Sequence, residues 1–559
     1  MKKSIFILLF ISSFCFSQTN YYVATTGSNT NSGTLTSPWK TIQYAVNQMP
    51  SNCILNVFAG IYTEKIDIPS NIVIKNQSAT LPIIDATGIT TQTAILALNN
   101  RGNVIIDGLE LRNNIQNNAQ GILVNGNGSN ITIKNCKIYD IHFSANVNDA
   151  VNANTNAQGI IVYGTNGTTA ITNLKIQNNE LYNCRLGYSE GIAVNGNINS
   201  FEISGNSVHN LTNIGIDIIG HEGICPTPVN DQARNGLVKN NTVYFCLSAY
   251  ATSGGLYIDG GKTIIVENNI SYHNGYGIEV GCENIGKTTD EIIIRNNVFY
   301  DNQICAIALG GFAYPSSGKV VNATIRNNTC YFNDYSNSGN GELYLSYAEN
   351  SIIENNIFYT STQNVLAFAE LTQPNLSFNY NTFYCNAGTG SLQADWNGTS
   401  YNNFTAFKTG TATNANSIFG NPQLTTANIT NPDFHILTTS PSKNSGNPAF
   451  VATISETDFY NELRIEGGTV DCGADEFGTT LEIQEHKAII FTIYPNPTSD
   501  FITIDTQFPV QKIEIYNLNG QKLIENFTNR INTSALKAGL YLMKFEIENK
   551  IYFRKIIKI

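Results

Sequence analysis

Positive charge is scarce in this sequence. Lys and Arg number 31 against 42 Asp and Glu among 559 residues, a formal net charge of −11. Nucleic acids and anionic membranes are held by clustered Lys and Arg, so neither is an expected partner, and a strongly anionic polysaccharide would need a bridging cation. Only 13% of the residues are charged at all. CxxC pairs are missing, which excludes the usual zinc spacing. Beyond the first residues no apolar run approaches the ~20 residues of a transmembrane helix. Helical periodicity is absent from the repeats that fill most of the chain.

What is present begins with MKKSIFILLFISSFCFSQ. Lys2 and Lys3 form a basic start, Ile5 to Phe16 a short apolar core, and Cys15 and Ser17 stand at −3 and −1 of a cut after Ser17. Residues 1–18 read as a secretory signal peptide. A lipoprotein cut at Cys15 is disfavoured by the bulky Phe14 before it. Ten of the eleven Cys lie beyond this leader. Several follow the repeat, as in NNELYNC, NNTVYFC and NYNTFYC, and read as small apolar side chains in a core. Export would permit disulfides, and the spacing leaves their pairing open.

Asn pairs set a period. The second Asn of each falls at Asn179, Asn206, Asn241, Asn269, Asn297, Asn328, Asn356 and Asn381, counting SGN and NYN as variants, with intervals of 27, 35, 28, 28, 31, 28 and 25 residues. Such a period signals a repeat architecture. Each unit opens with a short alternating strand (IIVENN, IIIRNN, ATIRNN), and a second follows some ten residues on (GIAVNG, GIDIIG, GLYIDG, GIEVG, AIALGG, ELYLSY). These features predict an all-β, right-handed parallel β-helix, with coils ~4.8 Å apart. Asn at one turn of every coil would bond its neighbours above and below. A two-sheet sandwich would instead show hairpin signals and no fixed period.

The opening YYVATTGSNTNSGTLTSPWKTIQYAVNQMP, then LNVFAGIYTEKIDI, resembles the start of secreted β-helix proteins of the pectate-lyase-like superfamily. The resemblance implies that TIQYAV is a short helix capping the bore, and that NPDFHILTTSPSKNSG with DCGADEF is the tail that closes the domain. It extends over residues 19–478. It implies fold and export, while the reaction stays open, since the superfamily holds lyases, hydrolases, epimerases and non-enzymes. The C-terminal stretch is different. TIYPNPTSDFITID, KIEIYNLNGQKL and GLYLMKFEIENKIYFRKIIK alternate as strands, and NLNG marks a hairpin. Residues 491–559 are similar to the type A sorting domain of type IX secretion. That implies a small β-sandwich, a Bacteroidetes-type bacterium, passage across the outer membrane to a secreted or surface location, and the secretion machinery as partner. Residues 479–490 read as the linker, and a monomer is expected.

Aligning the second strands on their apolar frame gives inward pairs Ile192/Val194, Ile216/Ile218, Leu256/Ile258, Ile278/Val280, Ile307/Leu309 and Leu343/Leu345. The residues between them point outward, in a column Ala193, Asp217, Tyr257, Glu279, Ala308, Tyr344. The next outward column reads Asn195, Ile219, Asp259, Gly281, Gly310, Ser346. Asp217 and Glu279 are thus expected two rungs apart, ~9.6 Å between backbones, with Asp259 diagonal to them. Polar loops follow: His221, Glu222, Asp231 and Arg234 after the Asp217 strand, Lys262 after Asp259, Glu283 and Lys287 after Glu279, and Glu342 before a later strand. The insertion HFSANVNDAVNANTNAQ would form a wall.

Close carboxylates on a rigid sheet repel one another and raise a pKa, an arrangement kept mainly where function needs it. Asp217, Asp259 and Glu279 are therefore the candidate catalytic residues. His221, Glu222, Asp231, Arg234, Tyr257, Lys262, Glu283 and Glu342 are candidates for substrate binding or support. Each has a plainer reading, with Arg234 and Lys262 as counter-ions and Asp231 and Glu222 as loop anchors. The leading expectation is glycosidase chemistry on a neutral or weakly charged polysaccharide or oligosaccharide, with one carboxylic acid protonating the leaving oxygen and another activating water or attacking the sugar. No cofactor is required. The alternatives are a polysaccharide lyase, with Ca²⁺ on the uronate and Lys262, His221 or Tyr257 as base, and a non-catalytic glycan-binding or adhesin-like surface protein. That last reading predicts aromatic platforms and no clustered acids.

Overall fold

The computed structural model describes residues 18–310, 313–454, 456–478, 491–506, 510–517, 521–547 and 550–559. Residues 1–17 of the expected signal peptide (1–18) and the whole of the expected linker (479–490) lie outside these residues. The chain divides into two compact units, residues 1–478 and 479–559.

The described part of the larger unit is a right-handed parallel β-helix. Three long sheets of 15, 13 and 13 strands run along it, and successive strands of each sheet pair in parallel, one coil on the next, except for the closing antiparallel pair of Gln393–Trp396 with Thr399–Tyr401. A coil visits the sheets in turn, as in Lys262–Glu267, Ile270–Tyr272 and Tyr276–Gly281. Each coil therefore holds three strands, where alternation alone showed two. The missed one is commonly three residues long (Ile270–Tyr272, Val298–Tyr300, Thr329–Tyr331), too short to display a period of two.

The Asn pairs do two jobs. The first of each pair, including Asn178, Asn240, Asn268, Asn296, Asn327 and Asn355, takes the left-handed conformation at φ between 54° and 58°, which Asn tolerates better than most residues. The second forms a buried ladder. In Asn269, Asn297, Asn328 and Asn356 the side-chain NH₂ donates to Oδ1 of the corresponding Asn one coil on, at 2.9–3.0 Å, and the backbone N–H donates to the same oxygen. A second, shorter ladder joins Asn274, Asn302 and Asn333. The inward Ile, Leu and Val residues fill the bore in one continuous core. All ten Cys of the described residues are buried free thiols, and Cys136, Cys184, Cys246, Cys330 and Cys385 belong to that core.

The first helix, Ile42–Gln48, places Ile42, Ala45 and Val46 in the core. Its first N–H groups donate to the carboxylate of Glu64 at 2.8 and 2.9 Å, satisfying donors that a helix start leaves open. A second helix, Phe404–Thr411, was not legible in the sequence; it buries Phe404 and Phe407 among Phe378, Phe383 and Trp396. The tail expected to close the domain runs along its flank instead. Leu424, Phe434, Ile436, Cys472 and Ala474 pack on Val298, Tyr300, Tyr331, Ile357 and Tyr359, side chains of the middle strands of successive coils.

The second unit is a small sandwich of antiparallel strands, three in one sheet and four in the other, around Ile502, Ile504, Ile513, Ile515, Met543 and Phe545. Residues 518–520 of the NLNG hairpin turn lie outside the described residues.

Candidate functional site

The third sheet carries the site. Its strand Ile216–Ile219 pairs with Gly254–Asp259, and that strand pairs with Tyr276–Gly281. The register sets Asp217 opposite Tyr257 and Tyr257 opposite Glu279. Ala193 precedes and Ala308 follows in the same column, and Asp259 pairs with Gly281 in the next. This is the stacking expected from the apolar frame: once the inward pairs are in register, the residues between them have no freedom of row.

This face carries a walled cavity of about 670 Å³, within the usual range for a ligand site. Asp217 and Asp259 are only 3% and 5% exposed, and Tyr257 is buried with them. Glu279 is half-buried. The walls include Tyr163, Tyr188, Ser189, Ala251 and Thr252, and the Asn-rich insertion supplies Asn156 and Gln158. Ile161 and Ile219, with Ala193 packed behind them, make an apolar floor beside the acids. The Tyr257 hydroxyl, 3.1 Å from where a Cβ on Gly281 would sit, occupies the room this Gly leaves.

Six acids line the cavity: Glu190, Asp217, Glu222, Asp259, Glu279 and Glu283, with no Lys or Arg among the described lining residues. Sequence reasoning missed Glu190. It lies in GYSEGIAV, one place before Gly191, in an outward column that the inward pairs do not bracket. Gln120 and Gln158 occupy that column on earlier coils, in register with each other. The signal was the Gly after each of them. A Cβ on Gly159 or Gly191 would lie 2.7 Å from the carbonyl oxygen of the Gly one coil on, so each Gly is required by close backbone approach and marks the residue before it as a fixed position.

Burial governs the electrostatics. Burial, with Glu283 and Glu222 adding repulsion, pushes the Glu190 carboxyl up to about 8. Burial and Glu283 push Glu279 to about 8 as well. Asp217 is raised well above the carboxylate range by burial, then by Glu190, Asp259, Glu283 and Glu279. Asp259 is raised by burial and Glu283, against the Glu283 backbone N–H that donates to its Oδ1 at 2.9 Å. The Tyr257 hydroxyl is raised by burial and the surrounding acids and donates to Glu283 at 3.3 Å. Charged forms are disfavoured in this setting, so the buried acids hold protons near neutral pH and can donate them. Buried oxygens of Asp217, Asn195 and Asn213 have no hydrogen-bond partner, and all three residues face the cavity. Such acceptors suit hydroxyl or cationic donors on a ligand.

The remaining candidates divide. Glu222 and Glu283 stand exposed at the mouth, and Glu222 accepts from the Asn284 side chain at 2.6 Å. Three others, Lys262, Arg234 and Glu342, are corrections, and Asp231 takes the loop-anchoring role that was its plainer reading. Lys262 pairs with Asp290 at 3.0 Å on the first sheet, so it is no counter-ion to the cavity acids. Arg234 donates to the carbonyl of Gln232 and to Asn197. Asp231 accepts from the N–H groups of Gly223 and Cys225 and closes its own loop. Glu342, fully buried, ends the second Asn ladder, with its two oxygens taking the N–H and NH₂ of Asn333. His221 lies behind the cavity wall, its Nε2 near Thr288 O and Gln232 Nε2, and burial lowers its pKa.

An aromatic stack does exist, on another face. Tyr139, Tyr182, His209, Tyr244, Tyr272 and Tyr300 stack in sequence with ring centroids 4.6–5.3 Å apart. Their ring faces are spent on one another, so only edges reach solvent and no stacking platform for sugar results.

Among proteins of known structure the chain is similar to the pectate lyase Pel9A (15% identity, 83% of this chain and 97% of that one, TM-score 0.43) and to the A-module of mannuronan C-5 epimerase AlgE6 from Azotobacter vinelandii (12%, 68% and 94%, TM-score 0.45). Residues 492–559 match the secretion system C-terminal sorting domain. The C-terminal sandwich is thus a sorting domain, and the protein is exported across the outer membrane to the cell surface or beyond. Among the described residues no helix is long and apolar enough to cross a membrane. A curated relative, the uncharacterized protein YwoF of Bacillus subtilis (strain 168), is 31% identical over 423 residues, 72% of this chain and 87% of its own. The chain belongs to the same family as YwoF.

Proposed function

We propose that the protein cleaves glycosidic bonds in a neutral or positively charged glycan. The observation that carries this reading is the cavity itself, where six carboxyl groups meet without a lining Lys or Arg and two half-buried acids, Glu190 and Glu279, titrate near 8. A glycosidase needs one carboxylic acid that keeps its proton and one carboxylate on the other side of the scissile bond. Glu279 suits the first role, being raised and still reachable from the cavity. Asp259, oriented by the Glu283 N–H, suits the second once the proton that burial favours on it has passed to Asp217, which stands on the coil before it. The apolar floor of Ile161 and Ile219, with Ala193 packed behind them, offers a surface for the face of a sugar ring.

Elimination is the weaker reading. It needs a base, and the candidates are engaged: Lys262 with Asp290, His221 in its loop, and Tyr257 as a donor with a raised pKa. The pectate lyase and epimerase similarities are too distant to choose between them.

The test is a panel of neutral, amino-sugar and uronate polysaccharides, read for new reducing ends and for ultraviolet absorbance from an unsaturated product. Reducing ends without absorbance, lost in Glu279→Gln and Asp259→Asn, support hydrolysis. Absorbance on a uronate glycan, or full activity in both folded variants, overturns it.

A further inference from the structure

A second set of acids lies in the tail, among elements the cavity does not use. Asp458, Glu462 and Asp475 bring carboxylate oxygens within 4.8 Å of one another, the one group of three potential metal ligands so placed among the described residues. Asp458 and Asp475 are 0% and 2% exposed, and Glu462 is half-buried, at the open side.

Their hydrogen bonds fix the oxygens without satisfying them. Asp458 Oδ1 accepts from the N–H groups of Tyr460 and Glu462, and its Oδ2 accepts from that of Glu476. Asp475 Oδ2 accepts from Ile436 N–H at 2.8 Å, while its Oδ1 is buried with no partner. An orphaned buried carboxylate oxygen beside two further carboxylates is costly unless a cation meets it. The neighbouring cations are occupied. Arg464 gives its two terminal NH₂ groups to Glu476, Asn296 and the carbonyls of Ala474 and Asp475, and only its Nε is left without a partner. His435 pairs through Nδ1 with Asp433 at 2.6 Å and stacks on Tyr460 with ring centroids 3.5 Å apart.

We propose that Asp458, Glu462 and Asp475 bind Ca²⁺, which pins the tail of the β-helix domain against its coils. The donors are all hard oxygens on irregular backbone, a set that the flexible coordination of Ca²⁺ accepts and the strict octahedron of Mg²⁺ does not. Water and backbone carbonyls would complete the shell. The mechanical role follows from the anchors nearby. Asn268 donates to Asp458 O, Asn296 to Thr457 O, and Ala474 N–H to Thr329 Oγ1. The cation would join two stretches of tail that the coils hold only separately.

The test uses the full-length protein, stripped with chelator and titrated with Ca²⁺ while its melting is followed. Terbium luminescence sensitised by the adjacent Tyr460 reads the site directly. The expected results are a rise in melting temperature with Ca²⁺, saturable terbium emission displaced by Ca²⁺, and loss of affinity by at least about tenfold in Glu462→Gln. That variant should melt as the parent does in chelator, because the Gln side-chain oxygen can still accept the backbone hydrogen bond of Gly478. Glu279→Gln, in the cavity, should bind terbium as the parent does. An equal Ca²⁺ response in Glu462→Gln, loss in Glu279→Gln instead, or no response in the parent would overturn the site. Equal stabilisation by Mg²⁺ would overturn the assignment to Ca²⁺.

Discussion

Glu283 donates its backbone N–H to Oδ1 of Asp259 at 2.9 Å, so a loop leaving one coil holds an acid on the coil before it. The bond gives Asp259 a fixed orientation in a cavity where Asp217 keeps an unpartnered oxygen. It also places Glu283 above Tyr257, which donates to it.

Replacing the accessible acids should separate chemistry from binding. Glu279→Gln is expected to lower kcat on the cleaved glycan by ~10²–10⁴-fold, the usual contribution of a general acid, with KM changed far less. Glu190→Gln, which keeps the shape and removes a repelling charge from Asp217, should cost less and shift the alkaline limb of the rate profile. Steady-state kinetics across pH checks both.

Activity should fall as pH rises through about 8. Glu190 and Glu279 lie near that value, and an acid that has lost its proton cannot donate it. Stability follows the same sign. A carboxyl raised from 4.5 to about 8 by folding binds more protons in the native state. Its contribution is fully present below 4.5 and is lost as pH rises through about 8. The melting temperature of Glu279→Gln should therefore gain on that of the parent between pH 5 and 8; a constant difference would contradict the shift.

The Asn ladder should be costly to break. Asn297 is fully buried, donates to Asn328 Oδ1 and to the carbonyls of Val266 and Arg295, and accepts from Asn269. Asn297→Ala leaves several of these groups unpaired, at ~1–3 kcal/mol each. Hydrogen exchange should report the loss first in the coils on either side, since a solenoid couples nearest neighbours.

Removing the sorting domain should leave the β-helix unit intact. Its core is separate from that of the β-helix, so a chain ending at Gly478 is expected to retain the parent's activity and the main melting transition while losing export. Activity assays and calorimetry on the shortened chain check this.

How much of the site was legible follows from what periodicity encodes. The row of Ala193, Asp217, Tyr257, Glu279 and Ala308 could be written from the inward Ile, Leu and Val residues, because each coil bonds only to the next and the pleat leaves two faces. Glu190 escaped because a Gly interrupts the alternation between it and Ile192. The roles expected of Lys262, Arg234 and Glu342 failed for another reason: each follows or precedes a strand on the right coils, and sequence gives the coil but not the direction in which a loop side chain turns.

The sequence by itself determined the β-helix, its Asn ladder, the buried thiols, the address at its C-terminus and the stacking of three site residues, since all of these are local or repeat with the coil. Only the tertiary structure decided that the outward face is enclosed, that six acids share it without a lining Lys or Arg, and that the tail gathers Asp458, Glu462 and Asp475 along the flank. Those outcomes depend on where loops from distant coils pack, and burial, which raises the carboxyl groups of Glu190, Asp217, Asp259 and Glu279, belongs to the assembled walls rather than to any residue's neighbours in the chain.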